Sequence, residues 1–365
     1  MSLLDVNRRL NLAESTAQDL TLGELLDLVA PEALTALRLG YVSSAGLREL
    51  RETIAESIGV SADCVITTQG TALGLFLLAF ELCRPGDEVV LSRPCFPPSR
   101  DALTGCGVTI RDVPLSFDEG YRLDIDRIVA QVTARTRFVS LATPQNPSGV
   151  ATSRHDLLEL LARLRSRAPE AYLFVDETYR EAVYGQSEVP QSAAGLDPRI
   201  ITGASVSKAH GAPGLRVGWL TVLNPPLRER LTVAKMNVVI SGSVLDETLA
   251  AALLANRERL LGPRRALLSR ALALLATWQA SESARLDWVR PQGGALCCMR
   301  LRANVFDAAG VARFWEVLPE LDLQLACGTW FGEEARVFRL GFGYLPLEKL
   351  PTALAALSRA MNRSA

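Results

Sequence analysis

The most constraining feature of this chain is an alternation that runs from Cys64 to about Val222. Short β-branched runs take turns there with helix-like stretches. The extended runs are Val65–Thr68, Glu88–Ser92, Thr109–Val113, Arg137–Ala142, Tyr172–Asp176, Ile200–Gly203 and Val217–Val222. Between several of them lie Thr71–Cys83, Pro98–Cys106, Asp124–Gln131 and Ser153–Arg167, each patterned as a helix. A chain that alternates in this way covers a sheet with helices. It predicts an α/β domain with a mostly parallel, seven-stranded sheet. In such sheets ligands bind where strands end and loops begin.

Beyond Val222 the pattern changes. Pro226–Asn237 reads as a helix, and a longer one runs from Val244 towards Trp278, with a break expected at Gly262-Pro263. After about residue 280 come short strands and two helices: Leu286–Val289, Ala295–Leu301, Ala308–Leu318, Leu323–Ala326, Arg336–Gly341 and Leu347–Met361. This is a smaller α+β domain. The expected division is an N-terminal segment, residues 1–40, packing with the small domain; a large domain, 41–255; and a small C-terminal domain, 256–365.

Bulk properties remove several function classes. The net charge is -1, which gives no electrostatic reason to expect nucleic acid or an anionic membrane surface as a partner. The seven cysteines are odd in number and lack Cys-x-x-Cys spacing, so they read as buried thiols in a reducing compartment. The start lacks an apolar signal core, and the longest apolar stretch, around Ala72–Phe80, is too short to span a bilayer. A soluble, cytoplasmic protein is expected. There is no metal-ligand spacing. The two histidines, His155 near a helix start and His210 in a loop, give no Ser-His-Asp set.

One imbalance narrows the chemistry. Of 39 basic residues only Lys208, Lys235 and Lys349 are lysine. Arginine does not serve as an amine nucleophile, so amine chemistry has three candidate residues. Lys208 stands in Ser205-Val206-Ser207-Lys208-Ala209-His210-Gly211-Ala212-Pro213-Gly214-Leu215-Arg216, between two extended runs. Two hydroxyls and a guanidinium suit a phosphate, and an amine in a partly desolvated pocket is a good nucleophile. The same residues also fit a polar surface loop.

Val65–Thr71 is a strand running into a helix at Gln69-Gly70-Thr71. Free N–H groups at such a turn bind phosphate, although Gly-Thr also serves as plain capping. Pro144-Gln145-Asn146-Pro147 follows a strand and holds Asn146 at its end. Asp176 ends another strand, three residues before Tyr179, and a buried carboxylate there needs a cationic partner. Taken singly, Asn146 fits a turn and Asp176 a helix N-cap. Arg339 interrupts the apolar run Phe338–Phe342 and either pairs with an acid or clamps a substrate carboxylate.

In this order, these segments resemble fold-type-I pyridoxal-phosphate (PLP) enzymes of the class I and II aminotransferase family, over roughly Leu39 to Phe342. The resemblance implies pyridoxal 5'-phosphate as cofactor and Lys208 as the Schiff-base lysine and proton shuttle. It implies phosphate ligands at Ser205, Ser207, Arg216, Gly70 and Thr71. Asp176 would keep the pyridine nitrogen protonated, making the ring an electron sink. Asn146 and Tyr179 would donate to the ring's phenolic oxygen, and Phe96 would stack on the ring. Tyr41 would reach the phosphate of a neighbouring subunit, which implies a homodimer with shared active sites. Arg339 would clamp the substrate α-carboxylate.

Three positions depart from the family pattern. Ser99 stands where a histidine often supports the aspartate, and Ser148 replaces a commoner threonine. Lys235–Ser243 lacks the arginine that acidic substrates require, with Lys235 the one cation there. The N-terminal Leu12–Thr16 and Leu20–Leu26 resemble a capreomycidine-synthase-like branch acting on arginine derivatives. Glu14 would then meet a cationic side chain, its plain alternative being a solvated carboxylate. The implied reaction is transfer of an amino group from an L-amino acid to a 2-oxo acid. The second reading is cyclisation, elimination or oxidation of an arginine-like amino acid. A non-catalytic sensor is the third, disfavoured because forty residues before Tyr41 leave no room for a DNA-binding domain.

Overall fold

A computed structural model of the chain describes residues 8–365. Its largest sheet has seven strands in the order Val65–Thr68, Gly218–Val222, Ile200–Ser205, Tyr172–Asp176, Thr136–Ala142, Glu88–Arg93 and Thr109–Pro114. Every neighbouring pair is parallel except those of Gly218–Val222, which runs against both its neighbours.

Side chains alternate across this sheet. Val89, Leu91, Phe138, Phe174 and Ile201 join the core under helix Gly70–Leu82, whereas Val90, Val139, Leu173, Val175 and Ile200 join the core under helix Arg154–Arg167. Successive residues of a strand point to opposite faces, so a run apolar at every position is what two helix layers demand.

The C-terminal body is a four-stranded antiparallel sheet in the order Ala326–Cys327, Val337–Gly341, Leu296–Leu301, Leu286–Val289. Helices Arg257–Ser281, Ala308–Val317 and Leu350–Ser364 cover it through Phe306, Phe314, Phe338 and Leu357. The α/β expectation with a smaller α+β body therefore holds.

Two local expectations differ. The long helix breaks at Asn256 between Val244–Ala255 and Arg257–Ser281, and Pro263 lies within the second helix. The Asn256 amide donates to the Ala252 carbonyl at 2.8 Å, and its own backbone leaves helical geometry. Leu323–Ala326 is two pieces: Leu323–Gln324 pairs in parallel with Leu10–Asn11, and Ala326–Cys327 pairs with Val337–Gly341. The chain changes partner there, so no single strand forms.

The N-terminal segment touches both bodies. Leu12 is buried in the C-terminal core, while Leu25 packs with Leu50, Trp219 and Leu249 of the large one. Between them residues 12–17 form a strap. Gly341 N–H donates to the Leu12 carbonyl at 2.7 Å, and Ala17 N–H donates to the Lys208 carbonyl at 3.3 Å. Glycine is required at 341, because a Cβ there would lie 1.7 Å from the Glu14 carbonyl oxygen.

Candidate active site

Register fixes what meets at the sheet's edge. Ala142 is level with Asp176, Asp176 with Gly203, and Ser205 with Gly218, which is level with Thr68. Because Gly218–Val222 runs the other way, its beginning joins the ends of its neighbours. The loops after Thr68, Ala142, Asp176 and Ser205 thus open at one edge, where ligands bind in open α/β sheets.

Asp176 sits on that edge. Its Oδ1 accepts from the Thr178 N–H at 2.9 Å and the Thr178 hydroxyl at 2.6 Å. Burial pushes its carboxyl above the ordinary range, against these two hydrogen bonds and the charge of Lys208. No guanidinium or ammonium pairs with it at ion-pair distance among the described residues. A buried carboxylate lacking a cation fits a protonated ring nitrogen. Thr178 in turn meets Thr71, hydroxyl to hydroxyl, at 3.0 Å.

The neighbouring loops offer groups suited to a phosphate. Helix Gly70–Leu82 begins without a side-chain cap from Gln69, so its first N–H groups are left for an anion. Gly70 has a φ of 78°, and a Cβ there would lie 2.7 Å from Arg216 Nη2. The cradle of helix end and guanidinium therefore requires glycine. Arg216 is exposed, and its Nη1 donates to the Pro213 carbonyl at 2.9 Å. Ser205 and Ser207 are buried beside it, and the Ser207 N–H donates to Ser205 Oγ at 3.3 Å. These residues, with Asp176, fit a phosphorylated pyridine cofactor.

Lys208 is the lysine of the cleft. Its Nζ donates to Glu14 Oε1 at 3.5 Å and to Ser15 Oγ at 3.3 Å, and lies 5.9 Å from the Tyr179 ring centre. The other two lysines are elsewhere. Lys235 is fully buried, its Nζ donates to Thr67 Oγ1 at 3.0 Å, and burial lowers its ammonium to about 8 despite the charge of Glu247. Its charge is spent inside the fold and not offered to a substrate. Lys349 is exposed at the start of helix Leu350–Ser364.

Arg339 is buried, with 4% exposure, and faces the same cleft from the C-terminal sheet. Nη1 donates to Asn146 Oδ1 at 2.8 Å, Nη2 to the Ala13 carbonyl at 2.6 Å, and Nε has no partner among the described residues. The guanidinium stacks 4.8 Å from the Phe331 ring centre. Burial pushes it below its ordinary value, while Tyr179 and Glu14 act the other way. A buried guanidinium bonded only to neutral oxygens keeps its charge unpaired, a state that suits it to a carboxylate.

Asn146 is held by its loop. Gln145 N–H donates to the Val150 carbonyl at 2.8 Å, Gln145 Nε2 to the Pro94 carbonyl at 3.2 Å, and Ser148 Oγ to Gln145 Oε1. Ser148 therefore serves the loop internally. The Glu14 carboxylate takes a second hydrogen bond, from Ser15 N–H at 2.8 Å. Burial acts to raise its carboxyl, but Lys208, the Ser15 amide and Arg339 together hold it below the usual range. Glu14 is thus an ionised carboxylate in the cleft.

Lys208, Asp176, Tyr179, Asn146, Arg339, Glu14, Ser205, Ser207, Gly70, Thr71 and Arg216 gather at this edge. Phe96 heads helix Pro97–Gly105 and stands half-open, its ring edge-on to Trp330 with centroids 5.8 Å apart. Tyr41 stays out of the single-chain cleft and is 84% exposed. Three groups of the site were not singled out from the sequence. Thr178 stood inside the Asp176–Tyr179 motif, two residues on, and was legible as an Asp-turn partner. Ser15 and the Ala13 carbonyl carried no local signal, since Ser15 is 164 residues from Tyr179.

The comparisons with known proteins agree with this geometry. The sequence profile of "Aminotransferase class I and II" matches residues 10–357. Capreomycidine synthase of Streptomyces vinaceus is 29% identical over 97% of this chain and 90% of its own length. Arginine–pyruvate transaminase of Pseudomonas aeruginosa is 33% identical over 52% of this chain and 50% of its own. Among solved structures, the PLP-dependent cyclase OrfR has a TM-score of 0.86 at 27% identity, covering 97% of this chain and 93% of that one. A PLP-dependent aminotransferase of Streptococcus suis has a TM-score of 0.88 at 24% identity, covering 98% and 94%, which speaks for the fold. No helix of the described residues is long and apolar enough to cross a membrane. The chain belongs to the class I and II aminotransferase family of pyridoxal-phosphate-dependent enzymes.

Proposed function

We propose that this enzyme moves the amino group of an L-amino acid to a 2-oxo acid, with Lys208 as the amine that carries the cofactor. The observation that supports this most is the meeting of three groups in one cleft. These are the amine of Lys208, a buried carboxylate without a cation at Asp176, and a buried guanidinium without a carboxylate at Arg339.

Bound pyridoxal phosphate supplies an aldehyde that takes up amines and a cationic ring that draws electrons from the substrate Cα. The chain's own residues do the rest. Ser205, Ser207, Arg216 and the N–H groups of Gly70 and Thr71 hold the phosphate. Asp176 faces the ring nitrogen and keeps its proton, and Thr178 orients Asp176. Asn146 and Tyr179 address the ring's oxygen, and Phe96 flanks the ring. Arg339 binds the substrate carboxylate and thereby fixes the Cα–H bond relative to Lys208. Lys208 Nζ then takes the Cα proton and hands it on as general base and acid. Tyr41, exposed in one chain, serves the phosphate site of a second copy in a homodimer. In this reading the large body spans 41–255 and the small one 256–365.

The preferred substrate carries a cationic side chain. Glu14 is ionised and faces Lys208, and the segment Lys235–Ser243 offers no free cation for an acidic substrate. The likeness to capreomycidine synthase over 97% of the chain supports a second reading, cyclisation of an arginine-like amino acid on the same site. An amino acid panel with 2-oxoglutarate separates the two. Glutamate formation, strongest with arginine-like donors, is the expected outcome; a cyclised product without an acceptor requires the second reading.

Lys208→Ala should lose the visible absorbance of the bound cofactor and all turnover, both read in one spectrophotometric assay. Arg339→Ala should raise the substrate KM at least about tenfold, the worth of one charge-assisted hydrogen bond, with cofactor retained. Equal loss of cofactor would place Arg339 at the phosphate instead.

Asp176→Asn should separate cofactor binding from stability. The folded-state carboxyl of Asp176 is raised above its unfolded value, so its charge costs stability once pH exceeds 3.8 and the cost grows as pH rises through the folded value. The cofactor-free Asn variant should therefore be more stable than the cofactor-free wild type at pH 8, by about 1–3 kcal/mol, with the gap closing as the pH falls. Denaturant unfolding at both pH values measures it, and the variant should bind the cofactor more weakly.

A further inference from the structure

Ser15 is buried, with 2% exposure, between two groups of the site. Its Oγ accepts from Lys208 Nζ at 3.3 Å and lies 2.9 Å from the Tyr179 hydroxyl. The strap holds it there from several sides. Asn11 Oδ1 accepts from the Ala13 and Glu14 N–H groups at 2.9 and 3.1 Å. Glu14 Oε1 accepts from the Ser15 N–H at 2.8 Å, and the Glu14 carbonyl is pressed against Gly341.

Donor counting decides the direction of these bonds. Lys208 Nζ donates to Ser15 Oγ. Ser15 has one O–H of its own, and Tyr179 is the one other side chain bonded to its Oγ among the described residues. A buried hydroxyl left without an acceptor costs free energy, so Ser15 donates to the Tyr179 oxygen. The proton of Tyr179 is then left free to point into the cleft.

We propose that Ser15 is a positioning residue of this enzyme: it holds the Lys208 amine while that amine is free of the cofactor and, by donating to the Tyr179 oxygen, commits the Tyr179 O–H to the cofactor. A phenol whose oxygen accepts a hydrogen bond is a stronger donor, because the two bonds polarise each other. The N-terminal strap thus sets the hydrogen-bond polarity of the site as well as covering it. The inference rests on Lys208 as the cofactor-bearing amine.

The experiment is a pH titration of the visible absorbance of the cofactor-loaded protein. Borohydride reduction and peptide mapping of the wild type come first. A pyridoxyl tag on Lys208 is expected, and its absence there would overturn the Lys208 reading itself. With Lys208 tagged, Ser15→Ala should move the absorbance midpoint upward by about half to one pH unit, the worth of one neutral hydrogen bond. The sign follows from the weaker Tyr179 donor, which draws less charge from the ring oxygen and lets the Lys208 nitrogen hold its proton more tightly. In a Tyr179→Phe background Ser15→Ala should move the midpoint no further. An unmoved midpoint in the first case, or an equal shift in the second, would overturn the role of Ser15 alone. Should Ser15→Ala fail to load, the pair Ser15→Thr and Ser15→Val, close in volume, gives the same reading. A higher midpoint for valine supports the proposal, and equal midpoints overturn it.

Discussion

A carboxylate at the end of a central strand, buried without a cation, is the constraint around which this molecule is arranged. Asp176 cannot leave its position, because Tyr172–Asp176 is locked between Thr136–Ala142 and Ile200–Ser205. It takes two hydrogen bonds from Thr178, which leave its charge only partly satisfied. The strand ends on either side supply what a phosphorylated ring requires: an uncapped helix end, hydroxyls and a guanidinium. Stability spent at such a site is common where function needs an unsatisfied group.

The second body completes the site from outside the sheet. Arg339 reaches across from the antiparallel sheet and bonds to Asn146 of the large body. The N-terminal strap lies between them, bonded to Arg339 through the Ala13 carbonyl and to the Lys208 loop through Ala17. The Arg339 guanidinium, Asn146 and the Lys208 loop are therefore joined through three segments far apart in sequence. Any change in how the strap lies on Gly341 reaches Lys208 directly through Glu14 and Ser15.

Much of this was legible before any coordinates. The seven extended runs matched the sheet within two residues at each end; the central ones are plainest, because helix layers on both faces favour apolar side chains at successive positions. Lys208 stood out because lysine is scarce and its neighbours are hydroxyls and an arginine, and Arg339 because it interrupts an apolar run, whereas Asp176 and Asn146, ordinary when taken singly, were singled out by the order of the motifs and the family it resembles. The break at Asn256 was misjudged, since proline gives a stronger breaking signal than an asparagine that bonds its own carbonyl four residues back. Glycine and proline act through the backbone anywhere, whereas Asn256 acts only through the particular rotamer it adopts.

The amino-acid order by itself determined the layered α/β architecture and the one lysine set among hydroxyls and an arginine. These follow from periodicity and local chemistry, which depend on neighbours within a few positions. Only the tertiary structure decided that Lys235 is sealed inside, that Glu14 is paired with Lys208, and that Ser15 joins Lys208 to Tyr179. Those contacts span 160 residues or more, and no local pattern records which distant side chain will fill a given hydrogen bond. The physical reason is that a buried polar group is satisfied by whatever partner the packed chain brings within about 3 Å, and packing is a property of the whole fold.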